Sequence, residues 1–153
     1  METALELVPK GLINHPSVRR NARKKGKRPE ETLLNRSLHH YAMVGKPGME
    51  KRGRPDIIQI CLLEALGSPL NRRGKLATWI HTVRDRMIEV NSSVRLPRDC
   101  NRFNNLMEQL LVEGQIPPKG EKTFLRDVNS SLSQVKKEID PTLTIALTSH
   151  GEP

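Results

Sequence analysis

The chain has 153 residues, and its 26 Lys and Arg outnumber its 17 Asp and Glu, which gives a formal net charge of +9. No run of about 18 apolar residues is present, which excludes a membrane-spanning helix. The N-terminal METALELVPK lacks the basic-then-apolar layout of a secretory signal, which predicts a cytoplasmic protein. The excess of positive charge favours a polyanionic partner, RNA or DNA, over the alternative of a merely basic surface.

The first quarter of the chain holds its densest basic run, VRRNARKKGKR at residues 18–28. This run has no apolar periodicity and is interrupted by Gly26, so we predict a basic loop or tether. A helix is predicted from Pro29 to about Ala42, because Pro-Glu-Glu is a common helix start and apolar residues then recur at helical spacing. A second basic loop is predicted at residues 44–53, where Gly and Pro interrupt the sequence.

The middle of the chain alternates helix and strand signals. Arg54-Pro55-Asp56 opens a predicted helix that ends near Gly67, since Pro suits the first turn and Asp complements the helix dipole. Residues 68–74 form a predicted turn. The stretches 75–82 and 87–91 are predicted strands of one hairpin. The alternation predicts an α/β fold.

A strongly amphipathic helix is predicted after Asp99 or Asn101, either of which can cap it, and it ends at Gly114. A loop at 115–122 and a weak helix around 131–139 follow. TLTIAL at 142–147 is rich in β-branched residues and predicts a strand. Because a buried strand normally leads into an element that covers it, we expect either a partner strand earlier in the chain or a sequence that is a fragment.

Three arginines crowd the start of the helix after Asp99: Arg95, Arg98 and Arg102. Cations at the positive end of a helix work against local stability, whereas a bound anion would reverse that cost. These residues therefore predict a phosphate-binding concavity, and the alternative is that they pair with Asp99 or Glu89 and fasten a loop. Arg54 repeats the pattern at another helix start, with Asp56 placed to orient it.

Side-chain catalysis finds little support in the sequence, which lacks the common hydrolase, zinc-protease and nucleotide-binding motifs. His39 and His40 are adjacent on a predicted helix and point in different directions, which argues against joint metal ligation. Cys61 and Cys100 lack metal-binding spacing and are expected to be reduced thiols. We therefore predict no catalytic residue and no metal. Any reactivity should come from a cofactor.

Three segments together resemble one family: residues 54–76 with RPDI and SPLN, residues 88–111 with EVN and VRLPR, and residues 116–122 with IPPKGEK. The chain resembles the ribosome-biogenesis pseudouridine methyltransferases of the SPOUT class, and residues 20–43 resemble their archaeal branch. These enzymes methylate N-1 of a pseudouridine in small-subunit ribosomal RNA. The resemblance implies that residues 1–153 are a single SPOUT-like RNA methyltransferase domain, trimmed at both ends.

The resemblance also implies roles for individual residues. Arg54, Arg95, Arg98 and Arg102 match arginines that meet the RNA in this family, and Asp56 matches the residue that holds the first of them. In the family S-adenosylmethionine sits in a C-terminal trefoil knot through which the enzyme forms a homodimer. Only the TS of TSHGEP resembles the start of that cofactor region, so Thr148 is the one cofactor-binding candidate. We expect this chain to supply mainly the RNA-binding part.

Two alternatives differ from methyl transfer in class. The first is a non-enzymatic RNA-binding factor in ribosome assembly, which would need the arginines and no cofactor. The second is a helix-turn-helix DNA-binding protein. The latter needs a recognition helix with polar base-reading residues, whereas the helix from Phe103 is dominated by leucines.

Overall fold

The computed structural model describes residues 2–120 and 122–146 and shows an α/β arrangement around a five-stranded sheet. The strands are β1 Glu2–Thr3, β2 Thr78–Thr82, β3 Met87–Val90, β4 Gln115–Ile116 and β5 Leu125–Asp127. Their order in the sheet is β1-β2-β3-β5-β4, with β1 parallel to β2 and the other neighbours antiparallel. The helices are α1 Pro16–Lys25, α2 Arg36–Met43, α3 Pro55–Gly67, α4 Pro69–Arg72, α5 Cys100–Glu113 and α6 Leu132–Ile139. Within the described residues, none of the helices has the length and apolar character that a membrane span needs.

Aliphatic side chains form the core in two clusters. The larger lies between the sheet and the helices α3 and α5, and includes the fully buried Phe103 and Met107 of α5. The smaller joins α1 and α2 to the N-terminal segment through residues such as Val18 and Leu34. Burial of this apolar surface fixes α3 and α5 side by side against the sheet.

The predicted hairpin of β2 and β3 is confirmed. The two strands are antiparallel, with Ile80 opposite Ile88, and both of these side chains are fully buried. The alternation of buried and half-buried residues along β2 is the period-two pattern of a strand with one face on the core. Asp85 takes a positive φ of 53° in the connecting turn.

The helices predicted from 54 to 67 and from 99 to 114 are also confirmed, as α3 and α5. Asp99, not Asn101, caps α5: its Oδ1 accepts a hydrogen bond from the backbone N–H of Arg102 at 2.9 Å. Gly114 ends the helix with φ 84°, a conformation that favours glycine. The weak helix predicted around 131–139 is present as α6, with Ser131 as its cap.

The prediction of a loop at 18–28 was wrong, because most of this basic run is the helix α1. His15 caps it, Pro16 is its first residue, and Gly26 ends it with φ 62°. Val18 and Ala22 lie one turn apart and are buried, and this two-residue stripe is enough to anchor the helix. The loop predicted at 44–53 is irregular apart from one turn of 3-10 helix at Met49–Lys51.

The single helix predicted from Pro29 to Ala42 was also wrong. A 3-10 turn at Pro29–Glu31 is followed by an extended segment, and α2 begins only after its cap Asn35. The cause is tertiary: the N–H of Leu34 donates to the carbonyl of Glu6 at 3.0 Å, so this segment pairs with the N-terminal stretch. A helix would have used that N–H internally.

Two further differences lie in the short elements. The predicted turn at 68–74 contains the single turn of helix α4, and the strand β5 was not predicted. The strand predicted at 142–147 was wrong over 142–146, which take no regular structure. Leu143 and Ile145 are 74% and 72% exposed there, so the β-branched composition has no sheet to pack on in the described part.

Candidate nucleic-acid interface

Arg54 stands at the N-cap position of α3, and Asp56 follows in the first helical turn. The Nε of Arg54 donates to Oδ1 of Asp56 at 3.0 Å, and its Nη2 donates to Oδ2 at 2.8 Å. This bidentate pair fixes the plane of the guanidinium while both side chains stay about half exposed. The third nitrogen, Nη1, has no acceptor within the described residues and is free for a ligand.

The pair also fixes the charge of Asp56. The hydrogen bond from Arg54 holds the pKa of the Asp56 carboxyl below its usual range, and backbone N–H groups of the helix start act in the same direction. Asp56 is therefore fully ionised at neutral pH and orients Arg54 permanently.

Arg95 and Arg98 lie on the segment that connects β3 to α5, and both side chains are exposed. Between them Leu96 is only 9% exposed and packs into the main core. The buried leucine holds the segment against the fold while the flanking arginines face outward. Pro97 keeps it extended by excluding helical conformation from the residue before it.

Gln59 of α3 holds the same segment through hydrogen bonds to its backbone. Its side chain is nearly fully buried, and its Nε2 donates to the carbonyl of Pro97 at 3.1 Å and to that of Arg98 at 3.0 Å. Gln59 lies four residues beyond Pro55, about 6 Å along the helix axis. The segment that bears Arg98 is therefore held against the first turns of the helix whose start bears Arg54.

Two asparagines fix the beginning of the segment. The Nδ2 of Asn71 donates to the carbonyls of Leu66 and Ser92, both at 2.9 Å. The Oδ1 of Asn91 accepts from the N–H of Ser93 at 2.9 Å and closes a side-chain turn. Gln59, Asn71 and Asn91 were not predicted from the sequence as positioning residues. The only local signal is that Asn71 lies in the predicted turn at 68–74 and that Asn91 ends a predicted strand.

Arg102 completes the group in the first turn of α5, where it is exposed. Within residues 2–120 and 122–146, the side chains of Arg95, Arg98 and Arg102 have no hydrogen bond or ion pair. The acids that might have neutralised them are otherwise engaged: Asp99 caps α5, and Glu89 pairs with Arg126 at 2.8 Å. The alternative in which these arginines only fasten a loop is therefore not what the structure shows.

The remaining candidates of the sequence lie elsewhere. His39 is buried between α1 and α2, His40 is exposed beside it, and His81 contacts Asp85 at 2.8 Å. Cys61 and Cys100 are free thiols. Thr148, the cofactor candidate, lies outside the described residues. Among the described residues, no group of three or more His, Cys, Asp or Glu is arranged to hold a metal ion.

Replacing Gln59 with methionine should lower the free energy of unfolding by about 1–2 kcal/mol, because two partly buried hydrogen bonds to backbone carbonyls are lost while the volume is nearly kept. Urea denaturation measures this change. Amide hydrogen exchange should accelerate at residues 94–98 before the rest of the fold. Gln109→Met, at an exposed position of α5, is the matched control and should change neither. Unaltered hydrogen exchange at residues 94–98 would show that Gln59 does not position the segment that bears Arg95 and Arg98.

Comparison with known proteins identifies relatives of the chain. The family model described as EMG1/NEP1 methyltransferase matches residues 1–153. The chain is 49% identical over 152 residues to the ribosomal RNA small subunit methyltransferase Nep1 of Staphylothermus marinus, covering 99% of this chain and 66% of the relative. It is 48% identical over 138 residues to the protein of the same name from Pyrobaculum calidifontis, covering 90% of this chain and 62% of the relative.

A solved structure resembles the chain as a whole. The crystal structure of Archaeoglobus fulgidus Nep1 bound to S-adenosylhomocysteine superposes with a TM-score of 0.82 at 43% identity, covering 89% of this chain and 61% of that one. This similarity confirms the α/β, SPOUT-like fold predicted from the sequence. The chain spans about two thirds of the length of these relatives or slightly less. On the family model and on these identities, the chain belongs to the EMG1/NEP1 methyltransferase family.

Proposed function

We propose that this chain is the RNA-binding part of an S-adenosylmethionine-dependent enzyme that methylates N-1 of a pseudouridine in small-subunit ribosomal RNA during assembly of that subunit. One observation carries the proposal: exposed arginines without acidic partners are displayed at a helix start by a segment that buried contacts hold in place. The names of the relatives support ribosomal RNA as the substrate and methyl transfer as the reaction.

Arginine at Arg95, Arg98 and Arg102 suits RNA better than lysine would. The planar guanidinium donates in pairs to phosphate oxygens and to base edges, and it also stacks on unpaired bases. The free N–H groups and the dipole at the start of α5 add to the attraction for phosphate. Arg54, held flat by Asp56, would then contact the same loop from α3. Together these groups would splay an RNA loop and present an unstacked base.

S-adenosylmethionine, when bound, supplies the methyl group that is transferred. S-adenosylhomocysteine, which remains after the methyl group has been transferred, is bound in the Archaeoglobus fulgidus relative. A cleft of about 650 Å³ in this chain is lined mostly by Lys and Glu side chains, which does not suit the apolar faces of adenosine. Thr148 remains the proposed cofactor contact, on resemblance alone. Homodimerisation is proposed on the same basis. A cytoplasmic location is proposed because the relatives are named as ribosomal RNA methyltransferases.

RNA binding and methyl transfer by this chain test the proposal together. The chain would be incubated with labelled S-adenosylmethionine and a loop RNA that contains pseudouridine, with a uridine loop as the control. Because the proposal assigns the chain the RNA-binding part, we expect it to bind the loop RNA with little or no transfer of label. Label in the pseudouridine RNA alone would exclude the non-enzymatic assembly factor and would show that these 153 residues also carry the catalytic part.

Replacing Arg98 with alanine should weaken binding of the loop RNA by about tenfold, since a charge-assisted bidentate contact contributes about 1–3 kcal/mol. Arg102→Ala should have a similar effect. The melting temperature should stay within the error of the measurement for both, because neither side chain has a partner in the described fold. Fluorescence anisotropy at fixed salt measures the affinity.

Arg84→Ala is the matched control. Arg84 is equally exposed and loses the same charge, but it lies in the β2–β3 turn, at the opposite end of β3 from the arginine segment. The affinity of the Arg84→Ala variant for the loop RNA should stay close to that of the unmodified chain. If Arg84→Ala and Arg98→Ala lose RNA affinity equally, binding reflects general charge attraction and not a specific site. If Arg98→Ala fails to fold, the role of Arg98 is structural.

A further inference from the structure

The helix α1 carries a row of cations that the arginine site does not use. Arg19, Arg20, Arg23 and Lys24 are all exposed, and α1 contains no acidic residue. Their side chains have no hydrogen bond or ion pair within residues 2–120 and 122–146. We call these four residues the basic face of α1.

This arrangement has a local cost. Arg19 and Arg23, and likewise Arg20 and Lys24, lie one turn apart, where like charges destabilise a helix by about 0.2–0.5 kcal/mol per pair. The burial of Val18 and Ala22 on the opposite side keeps the helix formed. Neutral residues on the exposed face of α1 would allow the same packing of the helix without this repulsion. A bound polyanion would offset the repulsion among the cations through its own attraction to each of them.

The C-terminal end of α1 is joined to α5, which carries Arg102. Lys25 and Lys27 donate to the two carboxylate oxygens of Glu108 at 2.6 and 2.7 Å, and the N–H of Leu33 donates to the same carboxylate at 3.1 Å. Glu108 follows Arg102 by six residues, about 9 Å along the helix axis. The two basic regions are thus separated by a length of only a few nucleotides.

The surface between the two regions does not repel RNA strongly. The cleft between α1 and α5 is lined by Lys24, Lys25 and Lys27 and by three glutamates. Glu108 is neutralised by two of the lysines, and Glu31 pairs with Arg28 at 2.7 Å. The third glutamate, Glu113, is the last residue of α5 and lies at the opposite end of that helix from Arg102. The exposed Asn105 and Gln109 lie three and seven residues beyond Arg102, on the same face of α5, and offer uncharged hydrogen-bonding groups.

We propose that the basic face of α1 is a second RNA contact, which binds the phosphates of the RNA segment that flanks the loop held by the arginine site. The flanking segment crosses the exposed face of α5 from Arg102 and reaches Lys24, Arg23 and Arg20. The contact is to the backbone and not to bases, because these side chains are spaced along a helix without a surrounding pocket. The inference rests on the proposed function of the arginine site.

The test compares two RNAs with one variant. The variant is Arg20→Ala/Arg23→Ala/Lys24→Ala, and the RNAs are the minimal loop and the same loop with its flanking sequence on both sides. Affinity for the long RNA should fall by about tenfold or more, and the slope of log affinity against log salt should fall by about 2, as expected for three lost phosphate contacts. Affinity for the minimal loop should stay nearly unchanged.

A charge-matched control is Arg84→Ala/Lys136→Ala/Lys137→Ala, which removes three exposed cations from the hairpin turn and α6. It should leave both affinities close to those of the unmodified chain. If the α1 variant binds the long RNA as well as the control does, the inference is overturned. An equal loss on both RNAs also overturns it, because the face would then not serve the flank.

Arg98→Ala distinguishes this failure from that of the proposed function. That variant should weaken binding of both RNAs, since the loop is common to them. If Arg98→Ala weakens RNA binding and the α1 variant does not, the arginine site is supported and the second RNA contact on α1 is rejected. If Arg98→Ala has no effect on either RNA, the proposed function of the arginine site fails.

Discussion

Replacing Glu108 with alanine should lower the free energy of unfolding by about 3 kcal/mol, among the largest effects expected of any single substitution in this chain. The Glu108 side chain is 1% exposed and accepts hydrogen bonds from Lys25, Lys27 and the N–H of Leu33. Its removal leaves two converging ammonium groups without their counter-charge and one buried N–H without an acceptor. The lysines are partly exposed and regain water, which keeps the effect at this size.

Urea denaturation measures the loss, and two variants locate its cause. Glu108→Gln keeps an acceptor for Leu33 but not the charge, so its effect should be intermediate. Glu113→Ala, at an exposed position five residues further along α5, should be neutral. If Glu108→Ala is as stable as Glu113→Ala, the connection between α1 and α5 contributes nothing, and the path proposed for the RNA loses its fixed geometry.

The elements that could be predicted from the sequence are those whose signals are local. The helix α5 has apolar residues at helical spacing, a capping aspartate and a terminal glycine, and all three agree. The hairpin of β2 and β3 likewise combines apolar strands with a polar turn. Because each signal independently specifies the same structure, tertiary contacts did not need to be known.

The helix α1 shows how strong charge hides a weak apolar pattern. Its five basic residues suggested a solvated loop, whereas Val18 and Ala22 alone bury one side of it. The sequence also carries the stop signal of this helix, Gly26. A glycine at the end of a short periodic segment is better explained as a helix end.

The elements that could not be predicted depend on distant partners. The segment before α2 is extended because Leu34 pairs with Glu6, and β5 is a strand because Leu125 and Arg126 pair with β3. Neither segment has a periodicity long enough to decide its structure. For residues 142–146 the sequence predicts a strand and the structure has none, since β-branched composition does not make a strand without a neighbouring strand.

The same division applies to the site. The arginines could be found because cations at a helix start contradict the local dipole, which is a property of a few adjacent residues. Gln59 could not be found, because the carbonyls that it binds are 38 and 39 residues away in the chain. A buried glutamine within an apolar helix is visible in the sequence only as an exception to the pattern. Its partner becomes known only when the fold is known.

His39 should make the stability of the chain strongly dependent on pH. It is fully buried, and the N–H of Asn35 donates to its Nδ1 at 3.2 Å, so the neutral ring carries its proton on Nε2. The pKa of His39 is lowered from 6.5 to about 4, mainly by burial, with Lys25 and His15 acting in the same direction and Glu108 opposing them.

The sign follows from the two states. Between pH 6.5 and 4 the unfolded chain binds a proton at His39 that the folded chain does not, so the stability falls as the pH falls through this range. At about 1.4 kcal/mol per unit of pKa difference, the total loss is about 3 kcal/mol near pH 4. Urea denaturation across this range measures it. His39→Asn keeps an acceptor for Asn35 and should remove this component of the slope, whereas His40→Asn, at the exposed neighbour, should retain it. An unchanged slope in His39→Asn would assign the acid sensitivity to the carboxylates instead.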